Sequence, residues 1–219
     1  MHFTVQNLIN IENEIKSNLS NHDNINLPKI IAVSKTFKID KILPLIDYGQ
    51  TDFGENKIQE AVDKWTDIKS KNSNIKLHMI GKLQTNKVKF AVKLFDYIHS
   101  VDSEKLAKKI SDEQIKINKK IKIFIQVNVG DEKQKSGIKK NEVYNLISYC
   151  KEIDLNVMGL MCLPPADNNS SFYFNEMNLL NKSFGLSDLS MGMSSDYLEA
   201  SKNSATYLRI GSSIFGERI

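Results

Sequence analysis

The chain is poor in arginine. Of its 30 basic residues only Arg209 and Arg218 carry a guanidinium, and the rest are lysine. Cysteine is scarcer than a structural role requires. Cys150 and Cys162 are too few for a zinc site and too far apart for a CxxC pair, so a disulfide scaffold is excluded and two buried, reduced thiols are expected. No apolar run approaches the roughly 18 residues that a spanning helix needs. The opening MHFTVQNLINIENEIK has no basic start, unbroken apolar stretch or small-residue cleavage site. These absences predict a cytoplasmic protein with no membrane partner. The four histidines, His2, His22, His78 and His99, form no HExxH pattern, and no EF-hand loop is present, so no metal is expected. His78 and His99 fall inside apolar runs, where packed or hydrogen-bonded core roles are expected. The net charge of +4 is spread over segments such as KKNEVYNLISYCKE that mix both signs. That pattern describes a solvated surface and predicts no nucleic-acid partner.

What is present is a regular alternation. Hydrophobic residues at 41% and charged residues at 26% are ordinary for a folded globule, which argues against disorder. Eight short apolar runs occur at 29–34, 51–54, 76–81, 97–101, 121–129, 157–163, 188–191 and 206–211, the second and seventh being the shortest. Between them the apolar spacing changes to three and four. Ile58, Ala61, Val62, Trp65 and Ile68 share one helical face, as do Val88, Ala91, Val92 and Phe95, and Val143, Leu146, Ile147 and Cys150. Asp102 or Ser103 is placed to cap the helix carrying Leu106, Ala107 and Ile110, and Gly49 stands where a helix would end. Leu8, Ile11, Ile15 and Leu19 predict an extra helix before the first strand. The segment PPADNNSS, 164–171, reads as a polar loop.

Strands alternating with helices imply a parallel sheet, and eight repeats in a chain of 219 residues fit closure into a (β/α)8 TIM barrel with an extra N-terminal helix. An open doubly wound sheet would usually carry a glycine-rich turn after its first strand, where this chain has AVSKTFK. No linker composition divides the sequence, so residues 1–219 are expected to form one domain.

Barrels place their chemistry at the carboxyl ends of the strands. Lys35 directly follows the first run, and partial desolvation there would lower its proton affinity and make its amine a nucleophile for a carbonyl. MGMSS, 191–195, and RIGSS, 209–213, set glycines and hydroxyls after the last two strands, where barrels commonly bind phosphate through backbone N–H groups. A lysine and a phosphate pocket on one rim point to a phosphorylated aldehyde, either a sugar phosphate or pyridoxal 5′-phosphate (PLP). Glu55 and Asp102 are candidate bases, although Glu55 could equally cap the following helix.

Eight segments in order, AVSKT, FGENKIQEA, HMIGKLQTNK, IHSVDS, QVNVGDEKQKSGI, MGLMCLPP, LSMGMSSD and YLRIGSSIFGERI, together resemble the pyridoxal phosphate homeostasis protein family, which is similar to the barrel domain of alanine racemase. The resemblance implies that Lys35 forms a Schiff base with PLP. It implies further that Ser194, Gly211 and Ser212 hold the phosphate, that Asn56 faces the cofactor and that Arg209 addresses the pyridine nitrogen. An arginine cannot release its proton, so it would keep that nitrogen unprotonated and weaken PLP as an electron sink. The expectation is a protein that carries or buffers PLP as a monomer without substantial turnover and that could deliver it to PLP-dependent apoenzymes. The alternatives are a PLP-dependent racemase or lyase using Lys35 as base, or an aldolase acting on a sugar phosphate. The chain departs from the family pattern at Lys82 and at Ser204-Ala205, where a Gly-Ser-Thr turn is common.

Overall fold

The computed structural model describes residues 1–20, 27–167 and 169–217. Eight strands, β1 (Lys29–Val33), β2 (Asp52–Glu55), β3 (Lys76–Met79), β4 (Tyr97–Val101), β5 (Lys122–Val127), β6 (Asn156–Cys162), β7 (Asp188–Ser190) and β8 (Tyr207–Ile210), pair in parallel in chain order, and β8 closes against β1. The register sets Ile31 beside Arg209 and Val33 beside Gly54. The fold is a (β/α)8 TIM barrel, and closure leaves no strand edge to protect. Both short runs are strands. Their few apolar residues suffice because neighbouring strands complete their backbone hydrogen bonds.

Nine helices run through the described residues: α1 (Phe3–Leu19), α2 (Leu43–Tyr48), α3 (Ile58–Lys71), α4 (Val88–Leu94), α5 (Glu104–Lys116), α6 (Val143–Glu152), α7 (Ser170–Ser183), α8 (Tyr197–Lys202) and α9 (Ser212–Phe215). Their inward faces are those the spacing predicts. Ala61 and Trp65 of α3, Val88, Ala91 and Val92 of α4, and Val143, Leu146, Ile147 and Cys150 of α6 are all buried. Ser103 rather than Asp102 caps α5, its hydroxyl accepting the Leu106 N–H at 3.3 Å. Gly49 ends α2 at φ +108°, a left-handed conformation that glycine adopts without steric cost. The polar loop is shorter than its composition suggests, because Ser170 and Ser171 open α7.

Helix α1 buries Leu8, Ile11, Ile15 and Leu19. Each such burial is worth about 1.5–3 kcal/mol before ordering costs. Polar contacts fix where it lies: Asn7 Nδ2 donates to the Ile214 carbonyl and Asn18 Nδ2 to the Leu198 carbonyl, both at 3.0 Å, and the Tyr197 hydroxyl meets Glu14. The extra helix therefore backs α8 and α9, which follow the two glycine-hydroxyl turns.

The main apolar core lies between barrel and helices, with Phe53, Trp65, Phe95, Phe174 and Phe215 fully buried in it. A second cluster fills the lumen with Ile31, Val33, Tyr97, Phe124, Met161 and Tyr207. This lumen also buries His78, His99, Ser190 and Arg209, so it is far more polar than the branched aliphatic layers usual in such barrels.

Candidate functional site at the carboxyl rim

Strand β1 ends at Val33, and the chain passes through buried Ser34 into half-buried Lys35. The next residue, Thr36, has φ +68°, a region costly for a β-branched side chain. That turn is held from α3. Glu60 accepts the Thr36 N–H at 2.5 Å, and Lys64 Nζ donates to the Ser34 carbonyl at 2.8 Å. Beneath it Glu55 is fully buried, its Oε1 accepting from the Ser34 hydroxyl at 2.7 Å, Lys64 Nζ at 3.0 Å and Trp65 Nε1 at 2.9 Å. Glu55 is thus neither a base at the rim nor a helix cap; it braces the strand that delivers Lys35.

Across the rim, Asn56 lies against Gly81 so closely that a Cβ on Gly81 would come within 2.4 Å of the Asn56 carbonyl oxygen. Asn56 Oδ1 is buried and meets no donor among the described residues. After β7 the chain turns at Gly192, φ +88°, where a Cβ would stand 2.5 Å from that of Ala200. Ser194 follows, and its Oγ accepts the Gly211 N–H at 3.3 Å and the Ser213 N–H at 3.2 Å. An oxygen accepting two N–H groups keeps its own proton available, so the hydroxyl is a donor toward whatever lies beyond it. Arg209, on β8, is buried and donates to two neutral partners, the Ser190 hydroxyl at 2.7 Å and the Cys162 carbonyl at 2.8 Å. Burial lowers its proton affinity from the ordinary value.

One cavity of about 490 Å³ collects these groups. Lys35, Asn56, Ser194, Arg209, Gly211 and Ser212 all line it, with Val33, Ile80, Leu163 and Met193 among its apolar walls. The apolar wall is also formed by strand-end positions, and the strand-end rule alone would have found it. The other candidates fall elsewhere. Cys150 and Cys162 are buried thiols, pushed up to about 12 by burial and so protonated. Asp102 does not line the cavity, and burial raises its pKa despite the attraction of Lys82. Lys82 is exposed in a neighbouring cleft with Lys57 and Lys87, which meets the cavity at Asn56. His2 caps α1, its Nδ1 accepting the Thr4 N–H at 3.3 Å. His22 and Arg218 lie outside the described residues. His78 and His99 are core residues, as their strand positions predict, but they also bond to each other at 2.9 Å, a pairing that sequence reasoning missed.

The chain is similar to known proteins along most of its length. The family profile "Alanine racemase, N-terminal domain" matches residues 11–219. The pyridoxal phosphate homeostasis protein of Haemophilus influenzae is 35% identical over 206 residues, covering 89% of this chain and 87% of its own length. That of Aquifex aeolicus is 36% identical over 203 residues, covering 88% of each. Among solved structures, PipY of Synechococcus elongatus PCC7942, with PLP bound, superposes with a TM-score of 0.81 at 29% identity, covering 92% of this chain and 100% of its own. By fold, rim geometry and similarity along nearly its whole length, the chain belongs to the pyridoxal phosphate homeostasis protein family, whose barrel is that of the alanine racemase N-terminal domain.

Proposed function

We propose that this chain binds PLP in the rim cavity and carries or buffers it, joined through a Schiff base on Lys35, without substantial turnover. The observation that carries the reading is that one cavity gathers an amine, a guanidinium and a hydroxyl backed by two backbone N–H groups. The fit is chemical as well as spatial. Lys35 suits the aldehyde carbon, Arg209 the ring nitrogen, and Ser194 with Gly211 and Ser212 the phosphate. The buried, unpartnered Asn56 Oδ1 can take a donor from a ligand or a water bound beside the ring.

When bound, PLP supplies a carbonyl carbon for an amine and an electron sink whose strength rises with protonation of its ring nitrogen. Arg209 opposes that protonation, because a guanidinium can only donate. Among the described residues that line the cavity, Lys35 is the one amine, and no His, Tyr, Asp or Glu is present in the lining. A racemase would have to move protons on both faces of a substrate with that single amine, so the carrier reading is favoured over the racemase or lyase reading. The same reading places the protein in the cytoplasm, where its two thiols stay reduced, as a monomer able to supply PLP-dependent apoenzymes.

The test is an absorbance spectrum with PLP, borohydride reduction and peptide mass mapping. The expected result is one reduced adduct on the peptide containing Lys35, lost in Lys35→Ala; label on no lysine, or on another one, overturns the site. Alanine and serine incubated in deuterated water should keep their α-protons, and exchange that disappears in Lys35→Ala would instead establish an enzyme. Apoenzyme activation no faster than with an equal concentration of free PLP would remove direct delivery. Sedimentation would report a dimer if the monomer assignment is wrong.

A further inference from the structure

Beneath the cofactor site, an unbroken line of buried polar side chains crosses the barrel lumen. It begins at Asp52, the first residue of β2 at the opposite end of the barrel, whose side chain retains 15% exposure. Asp52 Oδ1 meets His78 Nε2 at 3.0 Å, His78 Nδ1 meets His99 Nε2 at 2.9 Å, and His99 Nδ1 meets the Ser190 hydroxyl at 2.8 Å. The Ser190 oxygen accepts from Arg209 Nη1 at 2.7 Å. Five residues from five strands thus join the far mouth to the guanidinium of the rim cavity, and His78, His99 and Ser190 are fully buried.

With both imidazoles neutral, the carboxylate end sets the direction of every bond in the line, and the guanidinium end is compatible with it. A carboxylate can only accept and a guanidinium can only donate. Asp52 therefore takes the Nε2–H of His78, which leaves Nδ1 of that ring as acceptor for the Nε2–H of His99. Nδ1 of His99 in turn accepts the Ser190 hydroxyl proton, and the Ser190 oxygen lone pairs face Arg209. Each bond donates toward Asp52, and both imidazoles are neutral Nε2–H tautomers. Burial lowers the pKa of both rings, His99 well below the ordinary value, with His78 and Arg209 adding to the effect there. At Asp52 burial works upward, but hydrogen bonds from His78 and from Thr51 at 2.7 Å hold the carboxyl below its ordinary value and so ionised. Stacking fixes the rings: His78 lies 4.2 Å from Tyr97 and His99 4.3 Å from Phe124, centroid to centroid.

We propose that Asp52 is a positioning residue for Arg209: acting through His78, His99 and Ser190, its carboxylate sets the polarity of the chain and with it the orientation of the guanidinium that faces the cofactor ring. Without the carboxylate no group enforces the direction. An asparagine can turn its amide and donate to His78, which would reverse both tautomers and make Ser190 accept from His99 and Arg209 together. Asp52 would then influence bound PLP from the far end of the barrel without touching it. The proposal rests on the assignment of Arg209 to the ring, and its test separates the two.

The experiment compares wild type, Asp52→Asn and Ser190→Ala as full-length protein. Nitrogen-edited NMR of the histidine rings and of the Arg209 side-chain N–H groups is recorded without PLP, and the absorption maximum and PLP affinity are then measured. Wild type should show both rings as neutral Nε2–H tautomers near pH 7. In Asp52→Asn the His99 signals should move toward a tautomer mixture and the Arg209 N–H exchange should rise. PLP affinity should fall by about five-fold or more, as for an ordinary coupling between sites, with a displaced absorption maximum. Ser190→Ala should give the same cofactor changes and leave the His78 tautomer intact. A charged or Nδ1–H His99 in wild type overturns the direction of the chain. Changes confined to His78 in Asp52→Asn, with Arg209, absorption and affinity unmoved, overturn the transmission. If wild type takes up no PLP on Lys35, the cofactor reading fails, and the His99 and Arg209 signals alone decide whether Asp52 orients the guanidinium.

Discussion

At the scale of single residues, two backbone positions decide outcomes that their side chains do not suggest. Gly81 leaves room for Asn56, since an added Cβ would press within 2.4 Å of the Asn56 carbonyl oxygen and 2.8 Å of its Cα. Both are backbone atoms, so no rotamer change relieves the contact. Gly81→Ala is expected to cost about 1–3 kcal/mol by overpacking and to weaken PLP by displacing Asn56. Thermal melts with a PLP titration check this, and unchanged values for both would mean that the segment at 56 yields freely. Ser204 presents the opposite case. It stands where the family resemblance implies a glycine, it is exposed, and its φ is +67°. An L-residue pays about 1–2 kcal/mol there, partly offset because glycine loses more freedom on folding. Ser204→Gly should therefore raise stability by about 0.5–1 kcal/mol, a gain of roughly 1–4 °C in Tm for a chain of this size. A lowered Tm would show that the weak 3.4 Å bond from Asn178 to its hydroxyl matters more than the strain.

At the scale of elements, the placement of Lys35 depends on α3 as much as on β1. Lys64 reaches from α3 to Glu55, Glu60 and the Ser34 carbonyl, and its side chain is 9% exposed while that of Glu55 is 0%. Removing one partner of such a pair strands the other, so Glu55→Gln should destabilise by about 3 kcal/mol, the lower end of the usual range because Glu60 still faces Lys64. The double variant Glu55→Gln, Lys64→Met should lose less than the sum of the singles, and additive losses in urea unfolding would dismiss the coupling. Little of this brace was legible in the sequence. Lys35 stood out because an apolar run leads straight into it, and Ser194, Gly211 and Ser212 because glycine and hydroxyls follow two adjacent strands. The strands and long helices announced themselves by periodicity. Glu55 did not, since GEN before a helix reads as a cap until Trp65 and Ser34 are seen to converge on it. Helices α2, α8 and α9, of six residues or fewer, offer too few turns to establish a period. The chain from Asp52 to Arg209 was hidden for another reason. His99 and Ser190 are 91 residues apart, and barrel closure alone brings them together.

At the scale of the whole molecule, a lumen that buries two neutral imidazoles makes the fold sensitive to mild acid. His78 and His99 are both held below the ordinary value of 6.5, chiefly by burial. Below pH 6.5 the unfolded chain takes up protons at these rings while the folded chain does not, so stability falls as the pH falls. Each ring that stays neutral in the fold contributes a loss on the order of 1.4 kcal/mol per pH unit in that window. Asp52 acts in a lower window. Its pKa is also depressed in the fold, so the stability it supplies is present above 3.8 and lost as the pH drops through its folded value. The expected melting profile is therefore flat near pH 7.5, declines from about 6.5, and steepens again near 4 as carboxylates protonate. His99→Gln removes one of the two titrating rings from the lumen while leaving a side chain able to hydrogen-bond. Its decline between pH 6.5 and 5.5 should be about half that of wild type, even though its stability at pH 7.5 is lower. An equal slope in the two proteins would place the acid sensitivity outside the lumen. A halved slope would show that the polar line beneath the rim cavity is kept at a cost in acid stability, a cost that an aliphatic lumen would not carry.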